Sequence, residues 1–353
     1  MPVLGPLKRA DDHSAGGGRV RARAVCGDID SGSGLPLFSL AELEAAAALI
    51  GRHFAPTPQR SWPLLSAAAG ADVWVKHENA TPIGAFKVRG GLVHLDRLRR
   101  AEPGLKGVIS ATRGNHGQSL GFAGRAMGVP VTIVVPHGNS TEKNRLMEGF
   151  GVRLVLHGAD FEEACEEAYR LAAAEGLAFV PAFHPDLVLG VATWALEFFR
   201  AAPPLASLYV PVGLGSGICG AIGVRDRLGL ATEIVGVQSV GADPYARSLA
   251  AGRLVMLNRA ETLADGIAVR VPDAAAFEII RAGAARIVTV TDAEIAAAIR
   301  TYWTATHTLA EGAGAAPLAA LLKERSRQDG AAVGVVLTGG NIDLELFRSW
   351  VLA

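Results

Sequence analysis

The sequence has few features that would direct a protein to nucleic acid, to a membrane or to an oxidising compartment. Its 34 basic and 34 acidic residues cancel, and aromatic residues make up only 6% of the chain, so we expect no nucleic-acid partner. No stretch approaches about 18 consecutive apolar residues, which argues against a membrane span. The three cysteines, Cys26, Cys165 and Cys219, lie far apart and lack CxxC spacing. This argues against a disulfide framework or a zinc site and favours a reducing cytoplasm.

The length of the chain predicts more than one folding unit. Single hydrophobic cores tend to divide above about 250 to 300 residues, and this chain has 353, so two subdomains are expected. Residues 1–34 are rich in Gly, Arg, Ala and Asp and lack an apolar segment, so they do not resemble a secretory signal. We expect these residues to be a disordered extension.

Short apolar runs alternate with helix-compatible segments along most of the chain. Ser39 is a candidate N-cap for a helix over 40–50. The predicted buried strands are Val73–Val75, Val108–Ser110, Val131–Val135, Val152–Leu156, Ser207–Val212, Ile234–Val237 and Val333–Leu337. Such alternation is typical of doubly wound parallel sheets. The sequence therefore predicts an α/β protein with two such units and a cleft between them.

One lysine lies among small and apolar residues, where a charged ammonium group would be poorly solvated. Lys87 lies in the segment Gly-Ala-Phe-Lys-Val-Arg-Gly-Gly, at a predicted strand-to-helix transition. An amine attacks an aldehyde only when neutral, and apolar burial lowers its pKa from about 10.4 toward that form. Taken alone, such a lysine is more often an exposed surface residue. The functional interpretation therefore depends on the other motifs.

A glycine-rich loop predicts an anion site. Residues 211–220 follow a predicted strand and open a helix, and N–H groups at a helix N-terminus favour a phosphate, with the Ser216 hydroxyl as a further donor. A tight turn without a ligand is the simpler alternative. The run from Gly215 to Gly220 also matches G-x-G-x-x-G of nicotinamide dehydrogenases. That fingerprint needs an acidic residue about 20 positions later, where the next strand ends at Gln238.

Taken in order, the motifs resemble a known family. They are GAFKVRGG around Lys87, RGNHGQ from Arg113, GLGSG from Gly213, ADGIA from Ala264, EGAGA from Glu311 and TGGN from Thr338. The chain resembles the serine/threonine dehydratase and serine racemase group of pyridoxal-phosphate enzymes over residues 55–345. This resemblance implies fold type II, the tryptophan synthase β-like architecture. It implies a large domain of residues 35–100 plus 185–353 and a small mobile domain of residues 101–184.

The resemblance also assigns roles to residues around pyridoxal 5'-phosphate. Lys87 would hold the cofactor as a Schiff base and remove the substrate's α-proton, with Phe86 beside it. The phosphate would lie on the loop Gly213, Leu214, Gly215, Ser216 and Gly217. Asn115 would donate to the ring oxygen, and Thr338 would face the pyridine nitrogen. Because a hydroxyl cannot protonate that nitrogen as a carboxylic acid would, elimination is favoured over reactions that need a long-lived carbanion.

Thr112, Arg113, Asn115 and His116 are the candidate substrate-binding residues. The resemblance implies that Thr112 and the N–H groups near His116 receive the substrate carboxylate. For His116 we favour a structural hydrogen bond at a helix start over direct catalysis. Arg113 stands where relatives usually have serine or alanine, and its guanidinium is a poor proton donor, so racemase activity should be weak. Arg113 has two equal interpretations, a contact to a larger or acidic substrate and a local ion pair.

The expected reaction is elimination from a β-hydroxy amino acid such as threonine or serine, giving a 2-oxo acid and ammonia. The alternatives are elimination from phenylserine, 3-hydroxyaspartate or diaminopropionate, a β-replacement synthase, a catalytically silent binding protein and, less favoured, a nicotinamide-dependent dehydrogenase. Metal-activated relatives have acidic residues where this chain has Gln238 and Pro244, so we expect no metal dependence. We also expect a homodimer.

Overall fold

The computed structural model describes residues 37–352 and divides their strands between two sheets. The ten strands are β1 Gln59–Ser61, β2 Asp72–His77, β3 Val108–Ala111, β4 Val131–Val135, β5 Arg153–Leu156, β6 Ala178–Phe179, β7 Ser207–Pro211, β8 Glu233–Ser239, β9 Arg286–Val290 and β10 Ala332–Leu337. The extension predicted over residues 1–34 lies outside the described residues.

Both sheets are built from parallel strands. The six-stranded sheet has the order β1-β2-β10-β7-β8-β9, and only β1 pairs antiparallel to its neighbour. The four-stranded sheet has the order β5-β4-β3-β6 and is parallel throughout. Strands that neighbour one another without being consecutive in the chain require crossovers, which the helices supply. The predicted α/β fold with doubly wound parallel sheets is confirmed.

Helices of very different burial connect the strands. They are α1 Leu40–Gly51, α2 Pro63–Ala69, α3 Val88–Ala101, α4 Asn115–Met127, α5 Thr141–Gly149, α6 Phe161–Glu175, α7 Pro185–Ala201, α8 Ser216–Arg227, α9 Pro244–Ala251, α10 Ala274–Gly283, α11 Asp292–Thr306, α12 Gly312–Lys323 and the short α13 Leu344–Leu346. None of the helices in residues 37–352 has the length and apolar composition needed to cross a bilayer.

Most predicted elements form close to their predicted bounds. Ser39 caps α1, and its hydroxyl and the Glu42 carboxylate form a reciprocal capping box. The prediction of a buried strand over residues 152–156 is wrong in one respect. β5 forms, but Arg153 and Leu156 are exposed because β5 is an edge strand of the smaller sheet. α4 begins at Asn115, so His116 lies in its first turn, as expected for a helix-start residue.

Two glycine contacts let α3 pack unusually close to α4 and α7. A Cβ on Gly91 would lie 2.3 Å from the Ser119 hydroxyl oxygen on α4. A Cβ on Gly190 of α7 would lie 2.3 Å from the carbonyl oxygen of Arg89 on α3. Neither position tolerates a side chain without separating the helices. The start of α3, just after Lys87, is therefore held by backbone contact on two sides.

A buried network of four charged side chains fixes the same end of α3. Arg89 is fully buried and donates to both Glu78 carboxylate oxygens, at 2.7 and 2.9 Å, and to both oxygens of Glu197, at 2.7 and 2.9 Å. Lys76 Nζ completes the network with a 2.6 Å contact to Glu197. Two cations and two anions balance one another, which offsets the cost of removing them from water.

Candidate active site

Three candidate loops meet at one edge of the six-stranded sheet. β2, β10 and β7 are neighbours in this sheet and are mutually parallel. Lys87 follows β2, Thr338 follows β10, and the loop 213–217 follows β7. Since the carboxyl ends of adjacent parallel strands lie side by side, these segments converge where α/β sheets commonly bind ligands.

Main-chain hydrogen bonds tie the lysine segment to the end of β10. Phe86 N donates to the Thr338 carbonyl oxygen at 2.9 Å, and Gly340 N donates to the Gly84 carbonyl oxygen at 3.0 Å. Gly84 has a φ of +68°, and a Cβ there would lie 2.7 Å from Asn341 Oδ1. Glycine is therefore required at this close approach.

Lys87 occupies the N-cap position of α3. Its carbonyl oxygen accepts a hydrogen bond from the Ser119 hydroxyl at 2.6 Å, which fixes the backbone. Its Nζ lies 5.4 Å from the centroid of the Phe86 ring and forms no hydrogen bond or ion pair with another described residue. Burial lowers the pKa of Lys87 to about 8, although the nearby Glu311 carboxylate opposes this change. A useful fraction of the amine is therefore neutral near physiological pH.

The loop after β7 presents unpaired N–H groups at the start of α8. No N–H group of residues 213–217 donates to another described residue, as expected where a loop opens a helix. Gly215 has a φ of +108°, and a Cβ on Gly213 would lie 2.6 Å from the Gly266 carbonyl oxygen. The Phe86 ring packs against Gly217, 3.6 Å from where its Cβ would lie. The arrangement can bind a phosphate close to Lys87.

The segment 112–116 faces the cleft from the smaller sheet. Thr112 follows β3, and its hydroxyl oxygen accepts from Gly114 N at 3.2 Å. Asn115 Nδ2 donates to Glu311 Oε1 at 2.9 Å, and its Oδ1 accepts from Asn341 Nδ2 at 2.8 Å. Asn115, which follows β3 of the four-stranded sheet, thus contacts residues 311 and 341 of the unit that contains the six-stranded sheet.

Arg113 differs from its structural interpretation, whereas His116 agrees in part with the structural hydrogen bond expected for it. Arg113 is exposed and has no ion pair or hydrogen bond with another described residue, so the local ion pair does not form. His116 is buried, and burial, followed by the charge of Lys87, lowers its pKa to about 3. The Val180 main chain provides one hydrogen bond, whereas Nε2 has no partner within residues 37–352. His116 is therefore neutral and only partly satisfied.

The family model for pyridoxal-phosphate dependent enzymes matches residues 50–339. The chain belongs to this family. It is 38% identical to an L-threonine ammonia-lyase of Geobacter sulfurreducens over 277 residues, 78% of this chain and 69% of that protein. It is 34% identical to an L-threonine ammonia-lyase of Thermotoga maritima over 287 residues, 80% of this chain and 70% of that protein. The solved structure of processed threonine deaminase isoform 2 from Solanum lycopersicum has a TM-score of 0.82 at 27% identity and covers 90% of this chain and 95% of that one.

The match confirms the prediction of a fold type II pyridoxal-phosphate enzyme, and the residues present fit this cofactor. Lys87 supplies an amine with a lowered pKa for the aldehyde. The unpaired N–H groups of residues 213–217 suit the phosphate. The Thr338 hydroxyl is buried and has no hydrogen-bond partner among the described side chains, as a contact for the pyridine nitrogen requires. The dehydrogenase alternative is not supported, since the family uses pyridoxal phosphate.

Three further charged residues lie near the site: Glu311 and Asp265 of the EGAGA and ADGIA motifs, and Lys143, which lies outside the motifs. Glu311, just before α12, is buried, and burial followed by the charge of Asp265 raises its pKa to about 7. Lys143 of α5 forms an ion pair with Asp265, which lies near the start of the ADGIA motif. Burial opposes the charge of Lys143, but the carboxylates of Asp265 and Glu311 outweigh it and raise its pKa. Of these residues, Glu311 is near enough to Lys87 for its carboxylate to oppose the fall in the Lys87 pKa.

Polar contacts join α5 to the larger unit across the cleft. Besides the pair of Lys143 with Asp265, the Ser140 hydroxyl donates to Asp343 Oδ1 at 2.7 Å. Leu344 N donates to Glu142 Oε1 at 3.1 Å. We call these three contacts the α5 latch. The latch lies beside the segment 112–116, since a Cβ on Gly114 would lie 2.9 Å from Lys143 Cδ.

Proposed function

We propose that the protein removes water and then ammonia from a β-hydroxy amino acid such as threonine or serine, giving a 2-oxo acid. The observation that carries this proposal is Lys87, a partly buried amine with a lowered pKa and no partner among the described residues, next to Phe86, whose ring packs against the loop with unpaired N–H groups. The names of the relatives, L-threonine ammonia-lyase and threonine deaminase, support it.

The cofactor, when bound, supplies an aldehyde that bonds covalently to an amine and a ring that withdraws electrons from the α-carbon of the amino acid. Lys87 would hold it through Nζ. The neutral form of the same Nζ would be the base for the α-proton, and a lowered pKa favours that form. Thr338 would offer its hydroxyl to the ring nitrogen but no carboxylic acid proton. The loop 213–217 would hold the phosphate with its N–H groups.

The segment 112–116 is proposed to hold the substrate carboxylate. The N–H groups of residues 115–117, at the start of α4, donate to no other described residue, and a helix N-terminus favours a negative charge. The Thr112 hydroxyl is close enough to Gly114 N, at 3.2 Å, to share this role. Asn115, which Glu311 and Asn341 hold in place, would face the ring oxygen of the cofactor. Because His116 is neutral, it adds no second positive charge beside Lys87.

A panel assay tests this function. Purified wild-type protein should release a 2-oxo acid and ammonia from threonine or serine, and Lys87→Ala should not. A matched control is Lys106→Ala, which changes an exposed lysine of the smaller unit and should retain activity. The proposal is wrong if the wild type forms no 2-oxo acid from any β-hydroxy amino acid in the panel.

A second candidate substrate class is an amino acid with an acidic β-substituent, such as 3-hydroxyaspartate. The supporting observation is that Arg113, beside the proposed carboxylate site, is exposed and lacks any partner among residues 37–352. If Arg113 binds a second carboxylate, Arg113→Ala should lower kcat/KM for 3-hydroxyaspartate by about tenfold or more and leave serine unchanged. Arg145→Ala on α5, which changes an exposed arginine with no partner among residues 37–352, is the matched control. Equal effects on both substrates would remove the acidic class.

Two structural features support further parts of the proposal. We propose that residues 101–184 move as a unit relative to residues 35–100 plus 185–353, since the smaller sheet is separate from the larger one.

We also propose a cytoplasmic homodimer. Exposed apolar side chains at Leu254, Met256 and Val271 provide surface for an interface, and Cys165 and Cys219 are free thiols. Light scattering coupled to size-exclusion chromatography measures the oligomeric state, and a monomer would contradict the dimer.

We propose no catalytic metal ion in the segment 238–244. Gln238 is fully buried in β8, and its Oε1 accepts a hydrogen bond from Ala246 N at 3.0 Å, so this oxygen is already engaged. Divalent cations prefer several oxygen ligands that carry charge. Activity should therefore survive treatment with EDTA, and a loss that magnesium or calcium restores would contradict the proposal.

A further inference from the structure

Two histidines and an aspartate meet on the side of α3 that packs against α7. His94 belongs to α3, His184 is the N-cap of α7, and Asp186 lies in the first turn of α7. One donor atom from each residue lies within 4.8 Å of the donor atoms of the other two. The two imidazole rings are 4.6 Å apart between centroids. None of the three residues belongs to the cofactor site.

The spacing of the donor atoms suits a metal ion. Asp186 Oδ2 lies 3.5 Å from His94 Nδ1 and 3.5 Å from His184 Nδ1. In a tetrahedral zinc site with bonds of about 2.0 to 2.2 Å, neighbouring ligand atoms are separated by roughly 3.3 to 3.5 Å. The carboxylate is therefore already at ligand distance from both nitrogens. Only the two histidine nitrogens would need to approach each other.

One of the two histidine nitrogens has no hydrogen bond, and the other has a single long one. His94 is buried, and its Nδ1 has no hydrogen-bond partner within residues 37–352. His184 Nδ1 accepts the N–H of Asp186 at 3.2 Å, so it carries a lone pair, the form of imidazole that binds metals. Metal binding would replace this long capping bond.

Arg97 already acts as the outer partner of the carboxylate. Its Nη1 donates to Asp186 Oδ1 at 2.7 Å, which leaves Oδ2 directed at the two histidines. Ligating carboxylates in metal sites are commonly hydrogen-bonded in this way. His184 and Asp186 are partly exposed, with side-chain exposures of 34% and 17%, so an ion can reach the cluster from solvent.

We propose that His94, His184 and Asp186 bind a divalent transition-metal ion of the zinc class, with the fourth coordination position open to water. Two imidazoles and one carboxylate match the ligands that such ions prefer. The ion would join α3, which begins directly after Lys87, to the first turn of α7. It has no part in the proposed elimination. The sequence could not group these residues, because His94 and His184 are separated by 89 intervening positions.

Zinc titration of the holoenzyme tests the site. Protein freed of metal by EDTA and dialysis is titrated with zinc chloride by calorimetry, and bound zinc is counted by mass spectrometry. The wild type should bind one zinc ion per chain, and zinc should raise Tm by a few degrees. His184→Ala and Asp186→Asn change partly exposed residues and should abolish both effects. His137→Ala and His157→Ala, which remove exposed histidines elsewhere, should preserve them.

The other outcomes overturn the proposal. Absence of zinc from the wild type would show that the cluster is only a hydrogen-bonded group. Zinc binding that persists unchanged in both cluster variants would place the ion elsewhere. The absorption of the bound cofactor is recorded during the titration and should not change. A spectral change that the cluster variants retain would assign the zinc to the cofactor and not to this site.

Discussion

Replacement of Lys87 by methionine should stabilise the cofactor-free protein near neutral pH. The pKa of this amine falls from 10.5 to about 8 on folding, mainly because of burial. The folded protein therefore binds the proton more weakly than the unfolded chain. At about pH 7 the amine is charged in both states, and holding that charge costs the folded state at most about 3 kcal/mol. Methionine has a similar length and no charge, so this cost disappears.

The pH dependence distinguishes this mechanism from a change in packing. The cost is fully present below the folded-state pKa of about 8 and vanishes above 10.5, where the amine is neutral in both states. Urea unfolding of apoprotein should therefore show the variant more stable by about 2 to 3 kcal/mol at about pH 7 and by roughly 1 kcal/mol at about pH 9.5. Lys106→Met, at an exposed lysine, should change neither value. A variant that is less stable than wild type, or a difference independent of pH, would refute the reasoning.

Three further predictions concern the surroundings of the site. Arg89→Ala leaves buried Glu78 without its cation, so the free energy of unfolding measured in urea should fall by about 3 to 5 kcal/mol. A fall of under about 1 kcal/mol would mean that the network does not contribute to stability. Gly190→Ala places a Cβ 2.3 Å from the Arg89 carbonyl oxygen and should cost about 1 to 3 kcal/mol. An unchanged Tm would contradict the close packing of α3 and α7. Glu311→Gln removes a carboxyl with a pKa of about 7, so any step near that pH in the kcat/KM profile should disappear. If the step remains, it belongs to another group.

The fold could be predicted wherever the local pattern was strong. Central strands such as β4 and β10 are continuous apolar runs, because helices cover both faces of a parallel sheet. β1, β6 and β9 were not predicted. β1 and β6 have only three and two residues, and β9 is mostly half-buried, so none of them gives a clear apolar run. The exposure of β5 depends on its place at the sheet edge, which a single segment does not encode.

The site was predictable only as far as it depends on strand ends. The loop 213–217 follows β7 closely, and Lys87 lies in the connection between β2 and α3, so the parallel pairing of these strands with β10 brings the two segments to the same edge of the sheet. The contact of Asn115 with Glu311 joins residues 196 positions apart, and Lys143 meets Asp265 across 122 positions. No local pattern marks such pairs, because they depend on how the two sheets are placed against each other.

The α5 latch has a consequence for how substrate enters and product leaves. All three contacts are hydrogen bonds or ion pairs, and Asp265 is nearly half-exposed, so water can replace each of them. Polar or charged side chains and one main-chain N–H make the three contacts, and no apolar side chain takes part in them. The rates of substrate entry and product release should therefore depend on ionic strength more than on hydrophobic packing. Dissolved salt should weaken these polar contacts and leave the packed core unchanged.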